Sequence, residues 1–295
     1  MAERLDPVAL ISRLAKVVPR DLHSNLIVVG SLAAAFHHRD QLQHRAVNTK
    51  DADVLVHPAG AVDQCAVIAR RLLEEGWTRH IDCYASVAPK PVESLRAIRL
   101  YPPEARDFFI EFLGFPSQTQ SRAKDWTPVW LEDGWYGLPS FRFMGLLAFD
   151  ARPTTFGIRC AAPWMMALAN LLSHPSLGVA RVSEAIGGRV LLRSAKDLGR
   201  VLALYRLASR SEQELWSARW PIALRQLFSD QAPALANQLG DGLRALLADP
   251  AALDEARFAV DSGLLNGLAA TSAQLAALGR QLLADVVVPT ATLFQ

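Results

Sequence analysis

Asp51 and Asp53 are the residues of this sequence whose type and spacing are most suggestive of chemistry. They are followed directly by the apolar run Val54-Leu55-Val56. Because residues i and i+2 of a strand project from the same face, the two carboxylates should lie side by side at the edge of a buried strand. Two like charges at such a place are costly unless a cation neutralises them, and paired carboxylate oxygens suit Mg²⁺ held jointly with substrate phosphates. The alternative is a solvated turn that precedes a strand.

A third carboxylate lies inside an apolar segment further along the chain. Residues 107–113, Asp-Phe-Phe-Ile-Glu-Phe-Leu, have the composition of a buried strand, and Glu111 stands in its middle. An acid at such a position needs a cation. We expect it to be a third metal ligand, and the alternative is a salt bridge to a neighbouring arginine such as Arg99. Asp107, four residues earlier on the same strand face, is the second choice for the third ligand.

A candidate phosphate site precedes these acids. The β-branched run at 25–29 stops at Gly30-Ser31, and a helix-forming stretch begins there. Glycine allows a tight turn and a close backbone approach, while a helix N-terminus offers free N–H groups and a positive dipole to a phosphate. Ser31 could cap the helix or hydrogen-bond a phosphate oxygen. Since strand–turn–helix junctions are common, an ordinary turn is the alternative.

The order strand, Gly-Ser, helix, Asp-x-Asp strand and further strand acid resembles the nucleotidyltransferase superfamily related to DNA polymerase β. The resemblance covers roughly residues 20–115. It implies a nucleotide-phosphate site at the Gly-Ser turn and one or two Mg²⁺ ions held by catalytic carboxylates. The residues concerned are Gly30 and Ser31 for the nucleotide, and Asp51, Asp53 and Glu111 as metal ligands and catalytic residues. Glu111 stands where that family often has an aspartate.

A second resemblance lies in the later part of the chain. Residues 191–198, Leu-Leu-Arg-Ser-Ala-Lys-Asp-Leu, are similar to an Arg-x-x-Lys-Asp-Leu segment in the helical half of abortive-infection (AbiEii-like) nucleotidyltransferase toxins. This resemblance implies that Arg193 and Lys196 bind nucleotide at the start of a helix capped by Ser194. Those toxins also carry a lysine in an earlier helix after a proline, and the matching position here is Asn170. The alternative for Lys196 is an exposed ion pair with Asp197.

The residue pattern predicts two domains in this 295-residue chain. Strands and helices alternate in residues 1–160, which predicts an α+β domain with a mixed sheet and flanking helices. Residues 161–295 are predicted to form a helical domain that contributes basic residues to the cleft. The predicted helices are 1–20, 31–38, 61–75, 163–174, 194–209, 212–228, 231–248 and 263–286, and the predicted extended stretches are 25–29, 52–57, 78–85, 92–100 and 107–113. Residues 125–160 are predicted to be irregular, with short strands near Val129 and Phe156.

Composition excludes several classes of protein. The three cysteines are odd in number and form no Cys-x-x-Cys pair, which argues against a disulfide scaffold and a zinc knuckle. No apolar run reaches the length of about 18 residues that a membrane span requires, and no signal peptide is evident, so we expect a reduced, soluble, cytoplasmic protein with no membrane partner. The net charge is only +2, but residues 142–210 hold ten basic residues and three acids. That basic stretch would suit an anionic substrate, or it forms solvated arginine faces.

These observations favour a Mg²⁺-dependent enzyme that transfers a nucleoside monophosphate from an NTP such as ATP to an acceptor. RNA, a protein side chain and a small molecule all stay open as acceptors, as do the nucleotide base, a toxin role and the oligomeric state. A catalytically weakened nucleotide- or RNA-binding protein on the same fold is the alternative, favoured by Asn170 and Glu111. A glycosyltransferase with an Asp-x-Asp motif is disfavoured, because only 50 residues precede the motif here.

Overall fold

The computed structural model describes residues 5–43, 49, 51–103, 108–116, 124–177, 180–182 and 185–295. These residues divide into two units. The first is drawn from residues 1–37 and 45–162, and the second from residues 38–44 and 163–295. The first unit contains the strands described below, and the second consists mainly of helices.

A mixed sheet of seven strands organises the first unit. Seven of the nine strands in the described part of this unit belong to it. The nine are β1 (Leu26–Val28), β2 (Asp51–Val56), β3 (Thr78–Arg79), β4 (Arg99–Tyr101), β5 (Phe109–Gly114), β6 (Lys124–Leu131), β7 (Gly134–Phe141), β8 (Arg152–Pro153) and β9 (Arg159–Cys160). The sheet order is β3-β4-β5-β2-β1-β9-β8, while β6 and β7 form a separate hairpin. The pairs β2–β5 and β1–β9 are parallel and the others are antiparallel. The three central strands are rich in buried β-branched and aromatic residues, so the core of this unit lies around them.

Four helices accompany these strands: α1 (Pro7–Val17), α2 (Gly30–His37), α3 (Val62–Glu74) and the short α4 (Gly145–Ala148). Asp6 caps α1, because its Oδ1 accepts a hydrogen bond of 2.8 Å from the backbone N–H of Val8. Helix α2 is short and rich in alanine, and it follows β1 almost directly. This short connection sets the turn at Gly30 against the centre of the sheet.

The second unit is built from eight helices of the described residues. They are α5 (Pro163–Leu177), α6 (Arg193–Leu207), α7 (Arg210–Phe228), α8 (Ala232–Gln238), α9 (Asp241–Ala248), α10 (Pro250–Ser262), α11 (Ser272–Leu282) and α12 (Val288–Thr292). Large aromatic side chains fill its core, among them Trp164, Trp216 and Trp220. The indole N–H of Trp220 donates a 2.9 Å hydrogen bond to the carbonyl of Trp164, so this ring is buried without an unsatisfied donor.

The structure corrects the prediction for residues 125–160. Instead of an irregular segment, β6 and β7 form a hairpin of two eight-residue strands joined at Glu132-Asp133. The strand predicted near Val129 is confirmed as part of β6, whereas Phe156 lies between β8 and β9 and belongs to neither. Pro128 and Pro139 lie within these strands, and because proline usually ends a strand, the sequence did not predict them at full length. Each strand of a two-stranded sheet has an unpaired edge, where a residue without an N–H is tolerated. The extended stretches predicted at 78–85 and 92–100 are shorter in the structure, as β3 and β4. In the second of them Pro91 precedes a 3-10 helix at Val92–Ser94, so the strand begins only at Arg99.

Helix boundaries in the second unit also differ from the prediction. The predicted helix 231–248 is two helices, α8 and α9, which are separated at Leu239-Gly240. Helix α10 was not predicted, although Asp249-Pro250 is a recognisable start: the Asp249 carboxylate accepts a 2.9 Å hydrogen bond from the N–H of Ala251. The predicted helix 263–286 begins only at Ser272, where Thr271 forms a capping box. Within the described residues, no helix is both long enough and apolar enough to cross a membrane.

Candidate functional site

Asp53 and Glu111 occupy opposite positions on two neighbouring strands. Strands β2 and β5 are parallel, and their register pairs Asp53 with Glu111 and Asp51 with Phe109. The intervening residues Ala52 and Ile110 are buried on the other face of the sheet. Because residues opposite each other in a sheet share a face, all three predicted carboxylates project from one side of adjacent strands.

The Gly-Ser turn lies directly against Asp53. Strand β1 is antiparallel to β2, and beyond its last pair the N–H of Val29 donates a 3.0 Å hydrogen bond to the carbonyl of Asp53. Gly30 follows with φ +68°, and a Cβ placed there would lie 3.1 Å from Oδ2 of Asp53. Glycine is therefore required twice, for its positive φ and for the space that the carboxylate occupies. Ser31 is the second residue of α2 and is half-buried.

Asp51 lies at the start of β2 and is the most exposed of the three acids. The hydroxyl of Thr49 donates to the carbonyl of Asp51 and to its Oδ1, with both distances at 3.0 Å. We call Asp51, Asp53 and Glu111 the acid row. The contact with Thr49 fixes the Asp51 carboxylate at the most exposed end of this row, two residues from Asp53. The arrangement leaves Asp51 where a ligand arriving from solvent would meet it first.

Glu111 forms an ion pair with Arg99. The two residues are register partners on β5 and β4, and the Arg99 Nε–H donates to Oε2 of Glu111. The Glu111 side chain is 15% exposed and that of Arg99 is 32% exposed. Of the two roles that the sequence left open for Glu111, the structure contains the salt bridge. The role of metal ligand stays a prediction.

The three carboxylates share a face without forming one tight cluster. Their oxygens do not all lie within 4.8 Å of one another. Asp51 is hydrogen-bonded to Thr49, and Glu111 to Arg99. Hard carboxylate oxygens are the donor set that Mg²⁺ prefers. Asp51, Asp53 and Glu111 offer such oxygens on one face of the sheet.

A cluster of three rings borders these acids, and no local pattern in the sequence predicted it. We call His80, Tyr101 and Phe109 the ring cluster. The rings of His80 and Tyr101 are stacked with centroids 5.1 Å apart and an interplanar angle of 30°. Phe109 meets the two rings edge-on, at 4.7 Å from His80 and 6.2 Å from Tyr101. The guanidinium of Arg99 lies over the Phe109 ring at 5.3 Å, so the cluster is continuous with Glu111.

Arg193 and Lys196 belong to the second unit. Helix α6 begins at Arg193 itself, so the prediction that Ser194 caps this helix is wrong: Leu192 holds the cap position. The N–H of Leu192 donates a 2.7 Å hydrogen bond to Oε2 of Glu255, which satisfies a donor beside the first turn. Arg193 is exposed and Lys196 is half-buried. Their predicted approach to the nucleotide at Ser31 stays a prediction.

The remaining sequence candidates are placed as follows. Asn170 lies on α5 and is half-buried. Asp107, the second choice for the third ligand, lies outside the described residues. All three cysteines are free and buried, and burial raises the pKa of the Cys160 thiol to about 12. A thiol of that kind is a poor nucleophile at neutral pH.

No protein-family model, no curated protein and no solved structure matches the chain. The resemblance to nucleotidyltransferases therefore depends on the residues themselves and on where the fold brings them. Within the first unit the fold brings together the turn at Gly30 and the acids Asp51, Asp53 and Glu111.

Proposed function

We propose that this chain is a Mg²⁺-dependent nucleotidyltransferase. The observation that supports it most is the position of Asp53. Its carboxylate touches the turn at Gly30 on one side, and Glu111 is its register partner on the other. This reaction needs metal-binding carboxylates that lie between a phosphate-binding turn and a further acid. Asp53 has that position.

The reaction is the transfer of a nucleoside monophosphate from an NTP. An acceptor hydroxyl oxygen forms a bond to the α-phosphorus, the bond from that phosphorus to the pyrophosphate oxygen breaks, and the hydroxyl proton leaves to a base. Bound Mg²⁺ would stabilise the charge on the attacking and leaving oxygens. The nucleotide that supplies the phosphate and the identity of the acceptor are not fixed by these residues.

Each residue of the site then has a separate task. The backbone at Gly30 and the hydroxyl of Ser31 would bind the triphosphate at the N-terminus of α2. Asp51 and Asp53 would hold Mg²⁺ beside it. Glu111 lies on the side of Asp53 away from Gly30, so its carboxylate is the one suited to accept the proton of the acceptor hydroxyl.

The experiment is labelling of an acceptor by NTPs labelled at the α-phosphate. With Mg²⁺ and an extract of total RNA or protein, the wild-type chain should label some component. Asp53→Asn keeps the shape of the side chain but removes the charge that holds Mg²⁺, so labelling should fall at least about a thousandfold. Asp63→Asn is the matched control, because Asp63 is an exposed acid in the first turn of α3 in the same unit. Labelling that survives Asp53→Asn contradicts the proposal.

A nucleotide-binding protein without catalysis is the second candidate, and one observation favours it. Glu111 already has a cationic partner in Arg99, so it needs no metal ion to offset its charge. Binding of an NTP with no labelling and no release of pyrophosphate, under every NTP tested, would favour this candidate over the enzyme.

A further inference from the structure

We propose that the ring cluster of His80, Tyr101 and Phe109 binds the nucleobase of the acceptor, and that the acceptor is therefore a nucleotide or a nucleic acid. This inference rests on the proposed nucleotidyltransferase function. It goes beyond that function by naming the class of acceptor and the place where it binds.

The residues of the site and of the ring cluster follow one another across the sheet. Gly30 follows β1, Asp53 is on β2, Glu111 is on β5, Arg99 is on β4 and His80 follows β3. Neighbouring strands are about 4.8 Å apart. The ring cluster thus begins beside Glu111 and extends away from Gly30, within the reach of a single nucleoside whose hydroxyl lies at the acid row.

The direction of the proposed reaction places the acceptor on the same side as the rings. An in-line displacement places the attacking oxygen and the leaving pyrophosphate on opposite sides of the phosphorus. Since the donor phosphates are assigned to the turn at Gly30, the acceptor must approach from the side of β5 and β4. Arg99 and the rings of Tyr101 and Phe109 are the side chains on that side.

The rings of the cluster differ in exposure from an aromatic pair in the core of the second unit. Tyr205 and Trp216, which contact each other there, are both 0% exposed. His80, Tyr101 and Phe109 are only half-buried, so they keep accessible surface next to the acids. Rings with accessible surface and a nearby guanidinium are the usual means by which proteins bind unpaired bases.

The chemistry of the cluster selects one class of acceptor. A serine, threonine or tyrosine acceptor on a protein would approach as an extended peptide and would use backbone hydrogen-bonding groups at a strand edge. The ring cluster instead offers π surface and one cation, which match a base and its phosphate. A free nucleotide and the end of an RNA both present that combination, and the experiment separates them.

The test is equilibrium binding to the full chain in the absence of NTP. The probes are a short single-stranded oligoadenylate and an abasic oligoribose phosphate of the same length, which carries the same charge without bases. Tyr101→Leu and His80→Leu keep apolar volume but remove the π surface. Each should weaken binding of the oligoadenylate about tenfold, because stacking of one base on one ring is of that order. Binding of the abasic probe should be unchanged.

Trp130→Leu is the matched control, since Trp130 is an aromatic ring that is 51% exposed on the β6–β7 hairpin. It should leave oligoadenylate binding at the wild-type level. Circular dichroism of each variant checks that the chain is folded, and Phe109→Leu serves as a further test if either of the two variants unfolds. Competition with AMP separates a free nucleotide from RNA as the acceptor. Displacement of the oligoadenylate by AMP at similar concentration assigns the site to a free nucleotide. Failure of AMP to displace the oligoadenylate assigns the site to RNA.

Two outcomes overturn the inference while leaving the proposed function intact. The first is equal binding of the oligoadenylate and the abasic probe. The second is a loss of NTP binding in Tyr101→Leu and His80→Leu with no loss of oligoadenylate binding, which would assign the rings to the donor. Failure of the proposed function would be seen separately, as absence of labelling and of pyrophosphate release with normal oligoadenylate binding.

Discussion

Asp53 and Glu111 are register partners although 58 positions separate them in the chain. Their strands are parallel, so no hairpin brings them together, and the connection includes α3, β3 and β4. Gly30 reaches the same aspartate from the opposite side. Three segments that are distant in sequence therefore meet at one carboxylate. Partial burial of charged side chains in this way lowers the stability of the fold. Such a cost is expected where the residues serve a function, and the proposed function would account for it.

Gly30→Ala should disturb both stability and the site. Alanine at φ +68° is strained, and its Cβ would press on Oδ2 of Asp53 at 3.1 Å. We expect a loss of about 1–2 kcal/mol in the free energy of unfolding, measured by urea denaturation, together with weaker Mg²⁺-dependent NTP binding.

Gly60→Ala is the control for that substitution. Gly60 is exposed, and a Cβ there would have no atom within 4 Å. Its effect on the free energy of unfolding should stay within about 0.5 kcal/mol. Similar losses for the two variants would show that the turn at Gly30 has no special contact with Asp53.

Removal of the Arg99 charge should strengthen metal binding. Arg99→Gln frees the Glu111 carboxylate and takes away a positive charge beside the acid row. At a distance of about 8 Å and an effective dielectric constant of about 60 to 80, as at a largely solvated site, that charge opposes a divalent ion by about 1 kcal/mol, so Mn²⁺ or Mg²⁺ should bind about five- to tenfold more tightly. Isothermal titration calorimetry measures this directly.

The matched control is Arg79→Gln. Arg79 pairs with Asp133 at 2.9 Å, at the turn of the β6–β7 hairpin, and both side chains are more exposed than those of Arg99 and Glu111. It should leave metal affinity unchanged. Unchanged or weaker metal binding in Arg99→Gln would mean that Glu111 is held by Arg99 as a structural ion pair and does not face the ion.

The three acids that share a face of the sheet could be singled out from the sequence, because each breaks a local pattern. Asp51 and Asp53 precede a buried run, and Glu111 interrupts one. The sequence does not decide between an arginine and a metal ion as the partner of Glu111, because either one is consistent with an acid inside an apolar strand. The ring cluster could not be found either: Tyr101 and Phe109 meet only through the pairing of β4 with β5, which no local periodicity encodes.

Secondary structure could be predicted where the hydrophobic periodicity and the residue composition of a segment indicate the same element. The central strands and helix α3 are rich in residues that suit their structure, and the predicted boundaries differ from those observed by a few residues. The hairpin of β6 and β7 was missed because Pro128 and Pro139 are read as breakers in a single sequence. Helices α8 to α11 are rich in alanine and leucine throughout, so only cap residues such as Asp249 and Thr271 mark where one ends and the next begins.

Lys196→Glu should weaken NTP binding far more than Arg280→Glu. Lys196 is half-buried near the start of α6, with Arg200 one turn later on the same face. A triphosphate brings several negative charges into a partly desolvated site, so a reversed charge there is costly. Arg280 lies exposed on α11 and serves as the control. Equal loss of NTP affinity in the two variants would contradict the predicted role of Lys196 in nucleotide binding.

Stability should fall in mildly acidic solution because of His57. Its Nδ1 accepts a 3.1 Å hydrogen bond from Nη2 of Arg159, and its ring meets Phe115 edge-on at 4.8 Å. Burial, and then the charge of Arg159, lower the pKa of His57 below its usual value of 6.5. In the unfolded chain the ring takes up a proton as pH falls through about 6.5, whereas in the folded chain it resists until lower pH. The unfolded state then binds more protons, so the stabilising effect of the neutral ring is complete above that pH and is lost as pH falls toward the folded pKa.

His57→Gln removes this dependence, because its amide oxygen can still accept from Arg159 but does not titrate. Urea denaturation between about pH 7 and pH 5 should show a steeper loss of unfolding free energy in the wild type than in the variant. The pKa of His174 is also lowered by burial, but His174 is present in both proteins and cancels in the comparison. Parallel pH curves for the two proteins would show that the environment of His57 does not couple its protonation to folding.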